Sequence, residues 1–171
     1  MRLKDHLILG GFASAVLYPA LGKDSALFFA GSVLIDIDHY LEYLFHNGFR
    51  DFGVTNMFRY HEALRDSWGR PDFLNFEAFH TFEFVVAVLA ASLLIGSAAI
   101  FALFMGLAFH IACDAAFLLR LRIFRLRANS FIEYLIRKRG FERMGLFPSA
   151  VHEDALKEIA IVKALDGFAG K

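Results

Sequence analysis

The sequence predicts an all-α protein, a four-helix transmembrane bundle of two helical hairpins, with an amphipathic middle loop and a C-terminal helical region. Two observations predict this class. Hydrophobic residues make up 57% of the 171 residues and the mean hydropathy is +0.48, which exceeds the usual composition of soluble domains. Four apolar stretches also have roughly the length of membrane helices, and a short turn joins the members of each pair.

The apolar stretches define the two hairpins. A short turn at Gly22-Lys23-Asp24 joins the first pair, and a turn at Gly96-Ser97 joins the second pair. The first stretch is short for a full span, so a tilted or partly inserted helix remains an option. The four predicted helices are Leu7–Leu21, Ser25–Phe45, His80–Ile95 and Ala98–Leu119.

Two regions outside the hairpins are more polar. The middle region, Asn47–Phe79, predicts an amphipathic surface helix that ends at Gly69-Arg70-Pro71. After Leu119 the chain is rich in arginine, and apolar residues at helical spacing predict an amphipathic helix over Ser149–Ala164. We therefore expect a membrane-embedded bundle at 1–120 and a basic, amphipathic C-terminal extension at 121–171.

The charges predict location and exclude some functions. The net charge is zero, which argues against a nucleic-acid partner. Basic residues at the N-terminus, in the middle region and after Leu119 fall on one side of a four-span topology, so we expect a multi-pass protein of the cytoplasmic (inner) membrane with both termini cytoplasmic. Its expected partners are membrane lipid and a small-molecule or lipid substrate. A single cysteine, Cys113, can form neither an internal disulfide nor a cysteine-based zinc site.

Seven histidines and aspartates stand in or beside the apolar stretches, where charged and imidazole groups are costly unless something compensates them. Folding each hairpin about its turn brings these residues to one predicted end of the bundle, because His6 comes level with His39, and His80 comes level with the segment His110–Asp114. Imidazole and carboxylate together suit a divalent metal ion, zinc above all, with manganese, iron and magnesium also open. The predicted metal ligands are His6, Asp36, Asp38, His39, His80, His110 and Asp114.

Local spacing supports this convergence. His110 and Asp114 are four residues apart on one helix face, and Asp36 and His39 are three apart. Glu83, three residues after His80, is the predicted general base, with a simple helix N-terminal charge as the alternative. Three further histidines lie in polar context and are expected to be solvated: His46, His61 and His152.

The order of these motifs resembles the membrane-bound metal-dependent hydrolases of bacteria and archaea. That family has an early histidine, a D-x-D-H element, a His-Ser/Thr pair and an H-x-x-x-D element, which match His6, Asp36–His39, His80-Thr81 and His110–Asp114 in this chain. The resemblance covers about residues 1–120 and implies that the seven residues ligate a metal. This chain departs from the family in one place. The family commonly has a His-Arg-Gly stretch before the third-helix histidine, whereas this chain has Asn75-Phe76-Glu77-Ala78-Phe79 there. Glu77, Glu83 or His61 could supply the missing contact.

The resulting functional expectation is a membrane-embedded metal-dependent hydrolase of a phosphoester or ester, with a lipid as one possible substrate, acting through a metal-activated water. The alternative is a non-catalytic metal-binding or metal-transport membrane protein. A bis-histidine haem protein using His80 and His110 is a third option, which the nearby carboxylates disfavour. No G-x-S-x-G, Walker A or G-x-G-x-x-G motif is present, which disfavours serine hydrolases, P-loop proteins and dinucleotide enzymes.

Overall fold

The structure is a computed structural model that describes residues 3–169, with side chains described as far as residue 165. The chain is mostly helical, which confirms the all-α part of the predicted class. Three short 3-10 turns lie at Gly22–Asp24, Ala78–His80 and Phe124–Leu126. The helices and strands, in chain order, are α1 Leu3–Leu21, α2 Ser25–Leu34, α3 Ile37–His46, α4 Val54–Asp66, β1 Asn75–Phe76, α5 Phe82–Ile95, α6 Ala98–Arg120, β2 Arg127–Ala128, α7 Phe131–Arg143 and α8 Pro148–Ala169.

The chain divides into two compact units that are each discontinuous in sequence. The first unit contains residues 3–37, 78–125 and 129–131, and the second contains 38–77, 126–128 and 132–169. Neither matches the predicted regions 1–120 and 121–171, because the polar middle region packs with the C-terminal helix α8 and both belong to the second unit.

In the first unit, glycines let α2 and α6 approach closely. A Cβ atom on Gly31 would collide with the backbone carbonyl of Leu103 on α6, and one on Gly106 would collide with the carbonyl of Phe28 on α2. Helix α1 packs on α2, and α5 packs on α6. The close α2–α6 contact brings the backbone at Ser32 near the middle of α6, where His110 lies.

Both predicted hairpin turns are confirmed. The first pair of helices is joined by the 3-10 turn Gly22–Asp24, and the second by Gly96 and Ser97. Gly96 has a φ of +67°, a left-handed conformation that glycine adopts readily and that commonly ends a helix. The Ser97 hydroxyl then accepts a hydrogen bond from the Ile100 amide and caps α6.

The predicted helix Ser25–Phe45 is interrupted. Helix α2 ends at Leu34 and α3 begins at Ile37, with a turn in which the Asp36 amide donates to the Val33 carbonyl. Asp36 therefore lies at a helix break, and the two units are divided between Ile37 and Asp38. The expectation that Asp36 and His39 share one helix face is wrong for this reason.

The second unit has its own hydrophobic core. Tyr43 and Leu44 of α3 and Tyr60, Ala63 and Leu64 of α4 pack in this core. The apolar side chains of α8 recur every four residues, as the sequence predicts, and complete the core from that helix: Val151, Ala155 and Ile159. The short strands pair in parallel, with Asn75 opposite Arg127 and Phe76 opposite Ala128.

Among residues 3–169, α6 is the one helix that is both long and apolar enough to cross a membrane. Helix α5 is apolar but has 14 residues, about 21 Å at 1.5 Å per residue, which is short for a hydrocarbon core of about 30 Å. Large apolar side chains are nevertheless exposed on the first unit, including Phe12 on α1, 71% exposed, and Leu94 on α5, 87% exposed. The number of membrane spans stays a prediction.

Candidate metal centre

Two buried histidines of the first unit face each other. The Nε2 atoms of His80 and His110 are 3.1 Å apart, and neither side chain is measurably exposed. Nδ1 of His110 lies 2.8 Å from the backbone carbonyl of Ser32. Because a carbonyl oxygen only accepts, Nδ1 must carry the proton, and in the neutral ring Nε2 keeps its lone pair. This backbone contact orients His110 as outer hydrogen bonds orient metal-binding histidines.

Two carboxylates complete a set of four converging atoms. Asp36 Oδ1 lies 3.3 Å from His110 Nε2 and 3.7 Å from His80 Nε2. Asp114 Oδ2 lies 3.7 Å from His110 Nε2 and 3.8 Å from His80 Nε2. In a tetrahedral zinc site with bonds of about 2.0–2.1 Å, neighbouring ligand atoms are about 3.3–3.4 Å apart. The separations that involve His80 and His110, 3.1–3.8 Å, are therefore close to those of a four-coordinate metal site, and Asp36 and Asp114 each form a group of converging ligand atoms with His110.

His6 joins the same group through Asp114. Its Nε2 lies 3.2 Å from Asp114 Oδ1, and its ring stacks on that of His110 with centroids 3.8 Å apart. The Asp114 carboxylate thus contacts His6 with one oxygen and the other two histidines with the other. We call His6, Asp36, His80, His110 and Asp114 the histidine–aspartate cluster. Buried groups of this composition could hold a metal ion.

Local structure explains how the sequence positions the cluster. His110 and Asp114 are one turn apart on α6, so both point to one side of that helix. His80 ends the 3-10 turn Ala78–His80, and Thr81 then caps α5 by accepting a hydrogen bond from the Phe84 amide. Asp36 occupies the break after α2. All four converging side chains thus come from chain segments where a helix begins, ends or carries an i, i+4 pair.

Asp38 and His39, two further predicted ligands, belong to the second unit. His39 forms a group with Glu42 and His61 whose ligand atoms all lie within 4.8 Å of one another. Its Nδ1 atom is also 3.7 Å from Glu77 Oε1. Asp38 is buried, and its charge helps to raise the pKa of Glu42. Metal ligation by Asp38 and His39 stays a prediction, located in this unit.

Glu83, the predicted general base, is exposed on the first turn of α5. Its Oε1 accepts hydrogen bonds from the Ser130 hydroxyl at 2.5 Å and from the Phe131 amide at 3.1 Å. These contacts place the carboxylate at the first residue of α7, where a negative charge is favourable. They support the alternative reading of Glu83 as a helix-end charge, and its catalytic role stays a prediction.

Glu77 was one of the residues that could replace the contact of the absent His-Arg-Gly stretch. It lies in the second unit, where it is buried and paired with Arg127. Its Oε2 accepts a hydrogen bond from Arg127 Nη1 at 2.7 Å, and its Oε1 accepts one from the Asn75 side-chain amide at 2.9 Å. The β1–β2 pairing holds Asn75 and Arg127 opposite each other, which sets up this arrangement.

A second group of histidines, expected from their polar sequence context to be solvated, is partly or fully buried. His152 is 6% exposed and His46 is half-buried, and their rings stack with centroids 3.9 Å apart. Together with Glu42 they form a group whose ligand atoms lie within 4.8 Å. The expectation of solvation is wrong because α8 carries His152 into the second unit's core beside Val151. The i, i+4 spacing of Glu42 and His46 was the sequence signal that could have placed these two residues in one group.

Burial shifts the titration of this group. It lowers the pKa of His152 to about 3 and that of His46 to about 4, so both rings are neutral at pH 7. Burial also raises the pKa of Glu42 well above its usual value, and the nearby carboxylates of Glu77 and Asp38 raise it further. The group thus has two neutral imidazoles beside a carboxyl group that resists ionisation without a nearby cation.

Comparison of the chain with family models, with curated proteins and with solved structures finds no match. The resemblance to membrane-bound metal-dependent hydrolases therefore rests on the motifs of this sequence.

Proposed function

We propose that the histidine–aspartate cluster binds a divalent metal ion, with zinc the best suited, and that the protein is a membrane-embedded hydrolase of phosphoester or ester bonds. The observation that carries the proposal is the convergence of Asp36 Oδ1 and Asp114 Oδ2 on His80 Nε2 and His110 Nε2, with each carboxylate oxygen 3.3–3.8 Å from the two nitrogens, which are 3.1 Å apart. Two carboxylates and neutral imidazoles balance the charge of a divalent ion. Manganese, iron and magnesium are the other candidates, and the carboxylates favour all of these over haem.

The residues of the cluster have distinct parts in the proposed chemistry. A bound divalent ion would supply a hydroxide nucleophile near neutral pH by lowering the pKa of coordinated water. Asp36 is 14% exposed, the most open of the four converging side chains, so substrate and water would approach beside it. His6 Nε2 contacts Asp114 Oδ1, the oxygen that does not face His80 and His110, and this contact fixes the orientation of the carboxylate. Hydrolysis would join the oxygen of that hydroxide to phosphorus or to the carbonyl carbon and break the ester bond, and the proton released when the water ionises would pass to the departing alkoxide.

The membrane setting is supported by the apolar surface of the first unit. Helix α6 has the length and composition of a span, and exposed Ile8, Phe12 and Val16 recur every four residues on α1. Such a stripe of large apolar side chains is unusual in water and is typical of contact with lipid. We propose that α1, α2, α5 and α6 are embedded in the cytoplasmic membrane and that the substrate is a lipid or another small molecule reaching the site there.

A second candidate function is a metal site without catalysis. Structural zinc sites are closed by four protein ligands, whereas catalytic sites keep one position open. The complete burial of His80 and His110 favours the closed type. Metal transport is a further form of this alternative, and the apolar ends of α1 and α5 disfavour it because they offer no polar path.

Metal analysis and activity measurements on detergent-purified protein test the proposal. We expect the wild type to retain a metal, and His110→Ala/Asp114→Ala to retain less and to lose hydrolysis of a phosphoester and ester panel. Asp24→Asn is a suitable control in the same unit, because the Asp24 side chain makes no capping hydrogen bond. Equal metal in the wild type and the double variant would refute the site. Metal-loaded protein that is inactive on lipid phosphoesters would favour the second candidate.

Localisation and Glu83 need separate tests. Membrane fractions washed with alkaline carbonate should retain the full-length chain if it is embedded, and its release into the supernatant would contradict the proposal. Glu83→Gln should lower the turnover rate without changing metal content if Glu83 is the general base. Unchanged turnover together with a lower melting temperature would assign it to the helix-end role instead.

A further inference from the structure

We propose that the second unit binds its own divalent cation at Glu42, His46 and His152, a site that shares no residue with the histidine–aspartate cluster. The ligand atoms of the three residues lie within 4.8 Å of one another. Two imidazoles and one carboxylate are a common set for zinc when a fourth position stays open. The proposal does not depend on the proposed hydrolase function.

Glu42 is the residue that most requires a cation. Its side chain is 6% exposed, and neither carboxylate oxygen accepts a hydrogen bond from any described residue. The Asn75 amide donates to Glu77 at 2.9 Å, and it also lies close enough to Glu42 to offset part of the rise in the pKa of Glu42. A buried carboxyl group without hydrogen bonds is costly in either protonation state, since its polar atoms lose water and gain nothing. A bound cation would satisfy both the charge and the lone pairs.

His152 is held in position beside Glu42. Its Nδ1 atom lies 3.7 Å from Glu42 Oε1 and 2.6 Å from the Tyr60 hydroxyl, and its ring also forms a hydrogen bond with the Leu74 backbone. Such backbone contacts fix the orientation of metal-binding imidazoles. A cation bound at His152 Nδ1 would replace the hydrogen bond between this nitrogen and the Tyr60 hydroxyl.

His46 provides both the third ligand and the access route. It follows Glu42 by four residues on α3, so the two side chains lie on one face of the helix. His46 also lines a cavity of about 310 Å³ with Tyr43, Arg50 and Lys163. Its ring is parallel to that of His152 within 6°. Because the lone pairs of parallel rings do not converge, His46, the more exposed of the two, must turn toward Glu42 when the cation binds.

The test removes the histidine–aspartate cluster first. Full-length protein carrying His110→Ala/Asp114→Ala is loaded with Zn²⁺ in detergent, passed through a desalting column and analysed for metal per chain. We expect this background to retain about one zinc, and Glu42→Gln in the same background to lose it, with a dissociation constant at least about 100-fold weaker by chelator competition. The matched control is Glu62→Gln, which makes the same change at an exposed position of α4.

We expect the glutamine substitution to keep the metal-free fold, because a glutamine side chain has nearly the shape of Glu42 and carries no charge to be buried. If Glu42→Gln nevertheless lost helical circular dichroism, His46→Ala at the half-buried position would decide the question by the same measurement. A background protein that retains no zinc, or a Glu42→Gln variant that retains as much as Glu62→Gln, would overturn the proposal. Failure of the histidine–aspartate cluster alone is distinguishable, since the wild type and the background would then hold equal zinc.

Discussion

Asp114 offers the most direct test of the histidine–aspartate cluster, because its carboxylate contacts all three histidines there. Oδ1 lies 3.2 Å from His6, and Oδ2 lies 3.7 Å from His110 and 3.8 Å from His80. Asp114→Asn keeps the size and shape of the side chain and removes its negative charge. The substitution therefore probes ligation with little change in packing.

The expected magnitude follows from the number of converging atoms. Structural zinc sites bind with about 10–16 kcal/mol, which is about 2.5–4 kcal/mol for each of four ligands. Weakening one ligand should therefore raise the dissociation constant by about two to three orders of magnitude. The loss should be largest for zinc, since an amide oxygen is a poorer ligand than a carboxylate for this ion.

Competition with a chromophoric zinc chelator measures this constant on detergent-purified protein. Asp24→Asn serves as the control for the same chemical change outside the cluster, and circular dichroism checks that both variants keep their helix content. If Asp114→Asn binds zinc within about threefold of Asp24→Asn, Asp114 is not a ligand and the four-atom geometry has been misread.

Three further predictions concern packing and charge. Gly106→Ala should lower stability by about 1–3 kcal/mol because its Cβ would collide with a carbonyl of α2, whereas Gly140→Ala, in open space on α7, should be neutral or stabilising, and equal melting temperatures would contradict this. Glu77→Gln should cost about 3–5 kcal/mol in denaturant titrations, since it removes the carboxylate facing the buried Arg127 guanidinium, and a cost below about 1 kcal/mol would show that the pair contributes little. The pKa of His152, about 3 when folded, lies below its unfolded value of about 6.5, so the unfolded chain takes up a proton first. In EDTA, the free energy of unfolding should fall by at most about 1.4 kcal/mol per pH unit as the pH is lowered from about 6.5 to about 3. An equally steep fall in His152→Gln would show that His152 is not the group responsible.

Much of the first unit could be predicted from residues close in sequence. The hairpin turns at Gly22 and Gly96 were predictable because glycine marks positions of positive φ. The pairing of His80 with the segment around His110 followed from counting residues away from the turn at Gly96, since α5 and α6 rise by equal amounts per residue. Asp114 then followed from helical spacing.

The break between α2 and α3 could not be predicted with the same certainty. Apolar residues continue through Ile35 and Ile37, so periodicity alone indicates one helix. The interruption lets Asp36 join the histidine–aspartate cluster while Asp38 and His39 enter the second unit. Adjacent residues thus belong to different groups, which no pattern of spacing on a continuous helix would produce.

By itself, the sequence determined the helical class, the two hairpin turns, the apolar spacing of α8 and the presence of costly histidines and aspartates in apolar stretches. These features depend on side-chain chemistry and on the regular rise of a helix. The tertiary structure decided which polar groups meet. It brought Glu42 and His46 to His152, more than a hundred residues away, because the packing of α8 with α3 and α4 in one core buries Glu42 and His152 and half-buries His46. Contacts between segments that are distant in sequence depend on such packing, so the local sequence around each residue does not show which partners it will meet.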